Sequence, residues 1–82
     1  MGRELIIGEI YVHFKNPEMR YKVLGIAIDC DTLEERVSYE QLYDAEKFPK
    51  GTIWSRRKNN FLGFKILENG EKVERFRLLE SL

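Results

Sequence analysis

The dipeptide Asn69-Gly70 constrains the fold most, because it separates two short runs that alternate between apolar and polar residues, FKILE and EKVERF. An Asn-Gly pair in this setting is typical of a type I′ turn, which joins two antiparallel strands through a two-residue loop. That turn predicts a register in which Ile66 lies opposite Val73, with both side chains facing the core. The chain is therefore expected to contain an antiparallel sheet.

The segment GEIYVHFK, which begins at Gly8, alternates in polarity and indicates a half-buried strand. Its apolar residues Ile10, Val12 and Phe14 are expected to face the core. Tyr11 and His13 are then expected on the opposite, more polar face.

Two further segments predict strands. YKVLGIAI at 21–28 is apolar on both faces, which indicates a central strand, and Gly25 within it indicates a bend. TIWSR, which begins at Thr52, indicates a short strand that places Thr52, Trp54 and Arg56 on one face.

The segment between these strands supports two interpretations. TLEE at 32–35 matches a helix capping box, and the residues that follow it have good helix propensity. The apolar residues from 33 to 43, however, follow neither the helical period nor the strand period. Taken without other information, the segment favours a helix.

Length limits the architecture, because 82 residues are too few for two sheets with covering helices. Five or six short strands with tight connections predict a small, strongly curved antiparallel β-barrel. We expect one domain over residues 1–82.

Charge is balanced overall but divided along the chain. The 14 basic and 14 acidic residues cancel, which argues against a general polyanion binder. Residues 29–46 hold seven acids and one arginine, whereas residues 47–66 hold six bases and no acid. These two segments are expected to lie side by side and to neutralise one another.

The segments GEIYVHFK, YKVLGIAID, TLEE, VSYEQLY, IWSR and GEKVERF follow one another in an order and spacing that resembles the bacterial domain-of-unknown-function family 1653. The resemblance covers about residues 8–79 and implies an SH3-like barrel with one or two short helical turns. It also implies that RVSY at 36–39 is a strand, with at most a helical turn near 40–43. It implies no activity, and the chain has Asp29 where relatives commonly have a histidine.

His13 is the one histidine and the one side chain whose unperturbed pKa lies near neutrality. It is interpreted as a packing residue bonded to a neighbouring strand or loop, as part of a binding pocket, or as a general base, in that order. The leading functional hypothesis is a binding module for a protein, a peptide or a small ligand. Its candidate recognition surface consists of Tyr11, His13, Tyr39, Trp54, Arg56 and Arg75.

Different positions in the fold are expected for the residues of this candidate surface. Packing is the better interpretation of Trp54, whereas Tyr11 and Tyr39 are expected at a rim, where their polar tips remain accessible. Arg56 is expected there too, and its guanidinium is suited to a carboxylate or a phosphate.

Two alternatives from other functional classes remain open. A small enzyme would use His13 as the acid or base, with Glu34 or Asp31 as its partner. Nucleic-acid contact would use the basic run Arg56, Arg57 and Lys58.

The remaining features of the sequence concern metal binding, membrane insertion and the cellular compartment. One cysteine, Cys30, excludes an internal disulfide, and one histidine with one cysteine cannot form a tetrahedral zinc site without two carboxylates, so we expect no metal and no cofactor. The longest apolar run is far shorter than the roughly 20 residues of a membrane span. We expect a cytoplasmic protein, and the sequence leaves its oligomeric state open.

Overall fold

Seven strands and one short helix form within residues 4–79, the part of the chain that the computed structural model describes. In chain order they are β1 (Ile10–His13), β2 (Arg20–Ile28), β3 (Glu35–Gln41), β4 (Ile53–Arg57), α1 (Lys58–Phe61), β5 (Phe64–Ile66), β6 (Lys72–Glu74) and β7 (Phe76–Leu78). All strand pairs are antiparallel. The predicted small, mainly β domain is confirmed.

β2 lies at the centre of a five-stranded sheet with the order β4-β3-β2-β1-β7, and β5 pairs with β6 in a separate ribbon. The central position of β2 agrees with the prediction from its two apolar faces. Within residues 4–79, β4 and β7 are edges of the sheet and do not pair with each other. The likeness to an SH3-like barrel therefore stays a prediction.

A β-bulge in β2 bends the sheet around the core. Tyr39 and Ser38 are adjacent on β3, but their partners on β2, Val23 and Gly25, are separated by Leu24. Leu24 is therefore the additional residue on β2. Bulges of this kind bend the strand and increase its twist. The sequence had indicated a bend at Gly25, and the structure has it there.

The ambiguous middle segment forms β3 and not a helix. Val37, Tyr39 and Gln41 are buried in alternation along it, and β3 pairs with β2 on one side and β4 on the other. The helical turn expected near 40–43 is absent from the described residues, and the short helix lies at Lys58–Phe61 instead. Pairing on two sides outweighs the helix propensity of the segment.

The TLEE sequence makes the turn between β2 and β3. Asp29 Oδ1 accepts hydrogen bonds from the amides of Asp31 and Thr32, at 2.9 and 3.1 Å. Thr32 Oγ1 accepts one from the Glu34 amide at 3.2 Å. Leu33 adopts the left-handed conformation, with φ of 64°, so no helix can continue through it.

Aromatic rings from strands and helix fill the core together. Its buried hydrophobic cluster consists of Tyr11, Tyr21, Val23, Val37, Tyr39, Phe61 and Phe76. Most of these rings meet edge to face, whereas Phe61 and Phe76 stack at 4.2 Å with their planes 7° apart. Burial of such large apolar surfaces is the main source of stability in a domain this small.

Tyr11 belongs to this core, so the face predicted for it is wrong. Tyr11 is 2 % exposed and Val12 is 1 % exposed, which means that both faces of β1 are covered. Polarity alternates along the segment as predicted, but the core cluster packs on the face that carries Tyr11, where the Tyr11 ring meets Phe61 at 5.3 Å. A tyrosine has enough apolar surface to take the inner side, with its hydroxyl bonded at the margin.

The hairpin at Asn69 forms, but its predicted register is wrong by one residue. Ile66 pairs with Lys72 rather than Val73, and Ile66 is 60 % exposed. The loop has three residues, 68–70, in which Gly70 adopts a φ of 87°. Asn69 Oδ1 accepts a hydrogen bond from the amide of Glu71 at 2.9 Å, which stabilises this longer loop.

The left-handed conformation of Gly70 predicts a stability difference between two glycines. Gly70→Ala should lower the free energy of unfolding by about 1 kcal/mol, because a Cβ is strained at this φ. The control is Gly25→Ala, since an added Cβ meets nothing within 4 Å there and its φ is not positive. Urea unfolding of both variants measures the difference, and equal effects would contradict the assigned loop geometry.

Candidate functional site

Tyr39, like Tyr11, lies in the core rather than at a rim, so the exposure predicted for both is wrong. Tyr39 is 4 % exposed, and its ring packs against Tyr21 and Phe76. Only its hydroxyl extends to polar surroundings, where it accepts a hydrogen bond from Arg56 Nε at 3.3 Å. Tyr39 therefore supports Arg56 and does not itself form a contact surface.

Trp54 anchors a loop, in agreement with its interpretation as a packing residue. Its indole Nε1 donates to Gln41 Oε1 at 2.9 Å, and its ring meets the edge of Phe48 at 4.8 Å. Gln41, which is fully buried, donates from Nε2 to the carbonyls of Tyr43 and Phe48. This network holds the loop between β3 and β4, because a buried amide requires its partners.

Two of the remaining candidates, His13 and Arg56, contact the ring of Phe76, and the third, Arg75, precedes Phe76 in the chain. Phe76 lies on β7, and Arg56 of β4 places its guanidinium carbon 5.5 Å from the centroid of the Phe76 ring. The imidazole of His13 meets the same ring edge to face at 5.0 Å. We name the group of His13, Arg56 and Arg75 around Phe76 the Phe76 site.

His13 is half-buried and uncharged at neutral pH. Burial, followed by the positive charges of Lys15, Arg56 and Arg75, lowers the pKa of His13 from 6.5 to about 4. His13 Nδ1 accepts a hydrogen bond from the amide of Lys15 at 3.2 Å. A neutral imidazole that accepts at Nδ1 carries its proton on Nε2, so Nε2–H is a hydrogen-bond donor.

Arg56 is held in place by two hydrogen bonds and one ring. Besides Nε, which donates to the Tyr39 hydroxyl, an Nη1–H donates to Asn60 Oδ1 at 2.5 Å. The contact with Phe76 adds a cation–π interaction. No carboxylate within residues 4–79 forms an ion pair with Arg56, so its charge is fixed in position but not neutralised by a partner.

Arg75 brings a second guanidinium to the site. Its backbone is fixed by two hydrogen bonds of 3.0 Å, from its amide to the Gly63 carbonyl and from the Phe14 amide to its own carbonyl. Its Nε is buried and has no hydrogen-bond partner among residues 4–79. Such unpartnered buried groups are rare in folded proteins and call for an explanation.

Three residues of this site were not among the sequence candidates. Phe76 and Asn60 were missed because their contact with Arg56 depends on tertiary packing, and Lys15 was missed because its hydrogen bond to His13 comes from the backbone amide, which its side chain does not reveal. The sequence offers one signal for Asn60, since it follows Arg56 by four residues and the short helix α1 brings it back toward β4.

The acid–base pairs proposed for an enzyme do not form. The Glu34 carboxylate binds Arg57 Nε at 2.9 Å, and Asp31 lies in the turn between β2 and β3. The charged groups that perturb His13 are all cations. A base with a pKa near 4 is also a weak proton acceptor at pH 7.

The basic run does not form one continuous surface. Strand alternation places Arg56 on the inner face of β4 and Arg57 on the outer face. Arg57 and Lys58 form ion pairs with Glu34 and Glu35, at 2.9 and 3.7 Å. The acidic and basic segments therefore meet here, as predicted.

A cavity of about 650 Å³ lies beside these ion pairs. Its lining consists of Glu34, Glu35, Arg57, Lys58, Asn59 and Asn60. The four charged residues neutralise one another in pairs. Asn60 borders this cavity and also contacts Arg56, whereas Arg56, His13, Arg75 and Phe76 do not line it.

Within residues 4–79, no group of three or more histidine, cysteine, aspartate or glutamate side chains is arranged to hold a metal ion. The same part of the chain contains no helix long and apolar enough to cross a membrane.

Comparison with protein families matches residues 9–78 to a family model described as a protein of unknown function, DUF1653. No curated protein and no solved structure matches the chain. The match covers nearly the whole chain and agrees with the resemblance seen in the sequence.

The lowered pKa of His13 predicts a loss of stability in acid. Between pH 6.5 and pH 4 the unfolded chain binds a proton at His13 and the folded chain does not, so protonation favours unfolding. The contribution of His13 is therefore complete above pH 6.5 and falls as the pH approaches 4. Urea unfolding across this range, with an NMR titration of the imidazole, measures both effects.

The control for this prediction is His13→Gln, which keeps a hydrogen-bond acceptor for the Lys15 amide but cannot titrate. Carboxylates contribute equally to both proteins, so the difference between the two stability curves isolates His13. Parallel curves, or an imidazole that titrates near pH 6.5, would contradict the burial of the ring.

Proposed function

This chain belongs to the family of proteins of unknown function DUF1653, and we propose that it is a binding module whose recognition site is the Phe76 site. One observation carries the proposal. Two guanidinium groups lie near one imidazole and one phenyl ring, and neither forms an ion pair with a carboxylate of residues 4–79.

Packing alone does not account for this arrangement. Like charges near one another repel, and a buried guanidinium N–H without a partner costs about 1–3 kcal/mol. Natural domains accept such costs mainly at functional sites. The neighbouring cations Arg57 and Lys58, in contrast, are both paired with carboxylates.

The site is also preorganised for binding. Arg56 is held by Tyr39 and Asn60, so little side-chain entropy remains to be lost when a ligand binds. His13 and Arg56 are both half-buried, which leaves part of each accessible to a ligand.

The partner in this proposal is a protein segment, a peptide or a small ligand. We place the module in the bacterial cytoplasm, acting as a single domain. Cys30 is free and exposed, as is common for thiols in a reducing compartment.

An NMR screen tests the proposal. The ¹⁵N-labelled chain is titrated with peptides and with small molecules of mixed charge. Ligands that bind saturably should shift signals of His13, Arg56 and Phe76 before those of other residues. Arg56→Gln should weaken these ligands about tenfold or more, because a charge-assisted hydrogen bond contributes about 1.5–3 kcal/mol.

Arg57→Gln is the matched control, since it removes the same charge from the adjacent residue on the opposite face of β4. Its effect on affinity should stay within about twofold, as expected for an exposed ion pair. Ligands that bind instead at the exposed isoleucines Ile26 and Ile28, or that bind Arg56→Gln unchanged, would contradict the proposal.

A further inference from the structure

We infer that the ligand of the Phe76 site is an oxyanion, a carboxylate or a phosphate, bound by N–H groups of Arg56, Arg75 and His13. This inference rests on the proposed function and specifies the chemical class that the site recognises.

Arg56 has N–H donors that form no hydrogen bond within residues 4–79. A guanidinium has five N–H donors and no acceptor. Two of these donors bond to Tyr39 and Asn60, and no other hydrogen bond is formed by the side chain within residues 4–79. The three that remain are fixed in direction, because the two bonds and the Phe76 ring hold the plane of the group.

His13 adds a donor and not a base. Its Nδ1 is occupied by the Lys15 amide, so the free nitrogen of the ring is Nε2, which carries the proton. The imidazole lies against Phe76, the ring that Arg56 also contacts. A third positive charge, beside the two guanidinium groups, is avoided while the number of donors at the site increases.

Arg75 adds a second guanidinium and its positive charge close to His13. Its Nε is buried without a partner among residues 4–79, and its charge lies close enough to lower the pKa of His13. Because the buried Nε is closed to a ligand, the Nη groups of Arg75 are the donors that a ligand oxygen would meet. Hydrogen bonds between a guanidinium and a charged oxygen are about twice as strong as those between neutral groups.

The sum of these groups determines the class of ligand. Two guanidinium groups and one imidazole N–H present donors, so a ligand that binds them all needs several acceptor oxygens. A cationic ligand would be repelled, and a neutral amide offers one acceptor and no charge. Nucleic acid does not fit, because Arg57 and Lys58 are neutralised by Glu34 and Glu35.

Titration of the ¹⁵N-labelled chain at pH 7 with four probes tests the inference. The probes are sodium phosphate, sodium acetate, acetamide and tetramethylammonium chloride, each at an ionic strength matched with sodium chloride. Phosphate and acetate should shift the Nε–Hε signals of Arg56 and Arg75 saturably, and the stronger of the two identifies the preferred oxyanion. Acetamide and tetramethylammonium should not shift them.

Variants separate a built site from general attraction to positive charge. Arg56→Gln should weaken the tighter oxyanion about tenfold or more, and Arg56→Lys should recover only part of the loss, because an ammonium lacks the planar fork. Arg57→Gln, the matched control, should leave the affinity within about twofold. If Arg56→Gln does not fold, Arg75→Gln takes its place with the same expected loss.

Each outcome decides the question. Equal weakening by Arg56→Gln and Arg57→Gln would overturn the inference, because the attraction would then be general. Saturable shifts with acetamide or tetramethylammonium but not with the anions would overturn it while leaving a binding function at the site. If none of the four probes shifts the NMR signals, the oxyanion class is overturned. The proposed function would then depend on the peptide and ligand screen.

Discussion

The stack of Phe61 on Phe76 is the contact on which the rest of the structure depends. Phe61 ends the short helix that follows β4, and Phe76 begins β7, so their rings join the two edges of the sheet. No backbone pairing joins these edges within residues 4–79. Ring packing therefore does what strand pairing does in a closed barrel, and it brings Arg56 of one edge against Phe76 of the other.

This contact between the two edges of the sheet also explains why Arg56 and Arg57 differ in their surroundings. Strand alternation in β4 directs Arg57 outward, where it meets Glu34 across the sheet. Arg56 is directed inward, where the nearest groups are rings, a tyrosine hydroxyl and an amide. Two adjacent arginines thus differ in role because successive side chains of a strand point to opposite faces of the sheet.

Much of the architecture could be predicted from local patterns. The strands at Ile10–His13 and Ile53–Arg57 and the bend at Gly25 follow from residues close in sequence, and the meeting of the acidic and basic segments follows from their opposite charges. The errors arose where a local pattern fitted two structures. Asn69-Gly70 fits a two-residue loop and also a three-residue loop, and one added residue exchanges the faces of the hairpin.

Sequence alone determined that this chain would form a small antiparallel β domain, because alternation, glycine placement and turn residues act over a few neighbouring positions. It also indicated the three polar members of the site, His13, Arg56 and Arg75. Only the tertiary structure decided that Tyr11 and Tyr39 are interior, that His13 is neutral, and that these three surround Phe76. The reason is that burial and charge depend on which distant strands become neighbours, and a small sheet buries whichever large rings reach its centre.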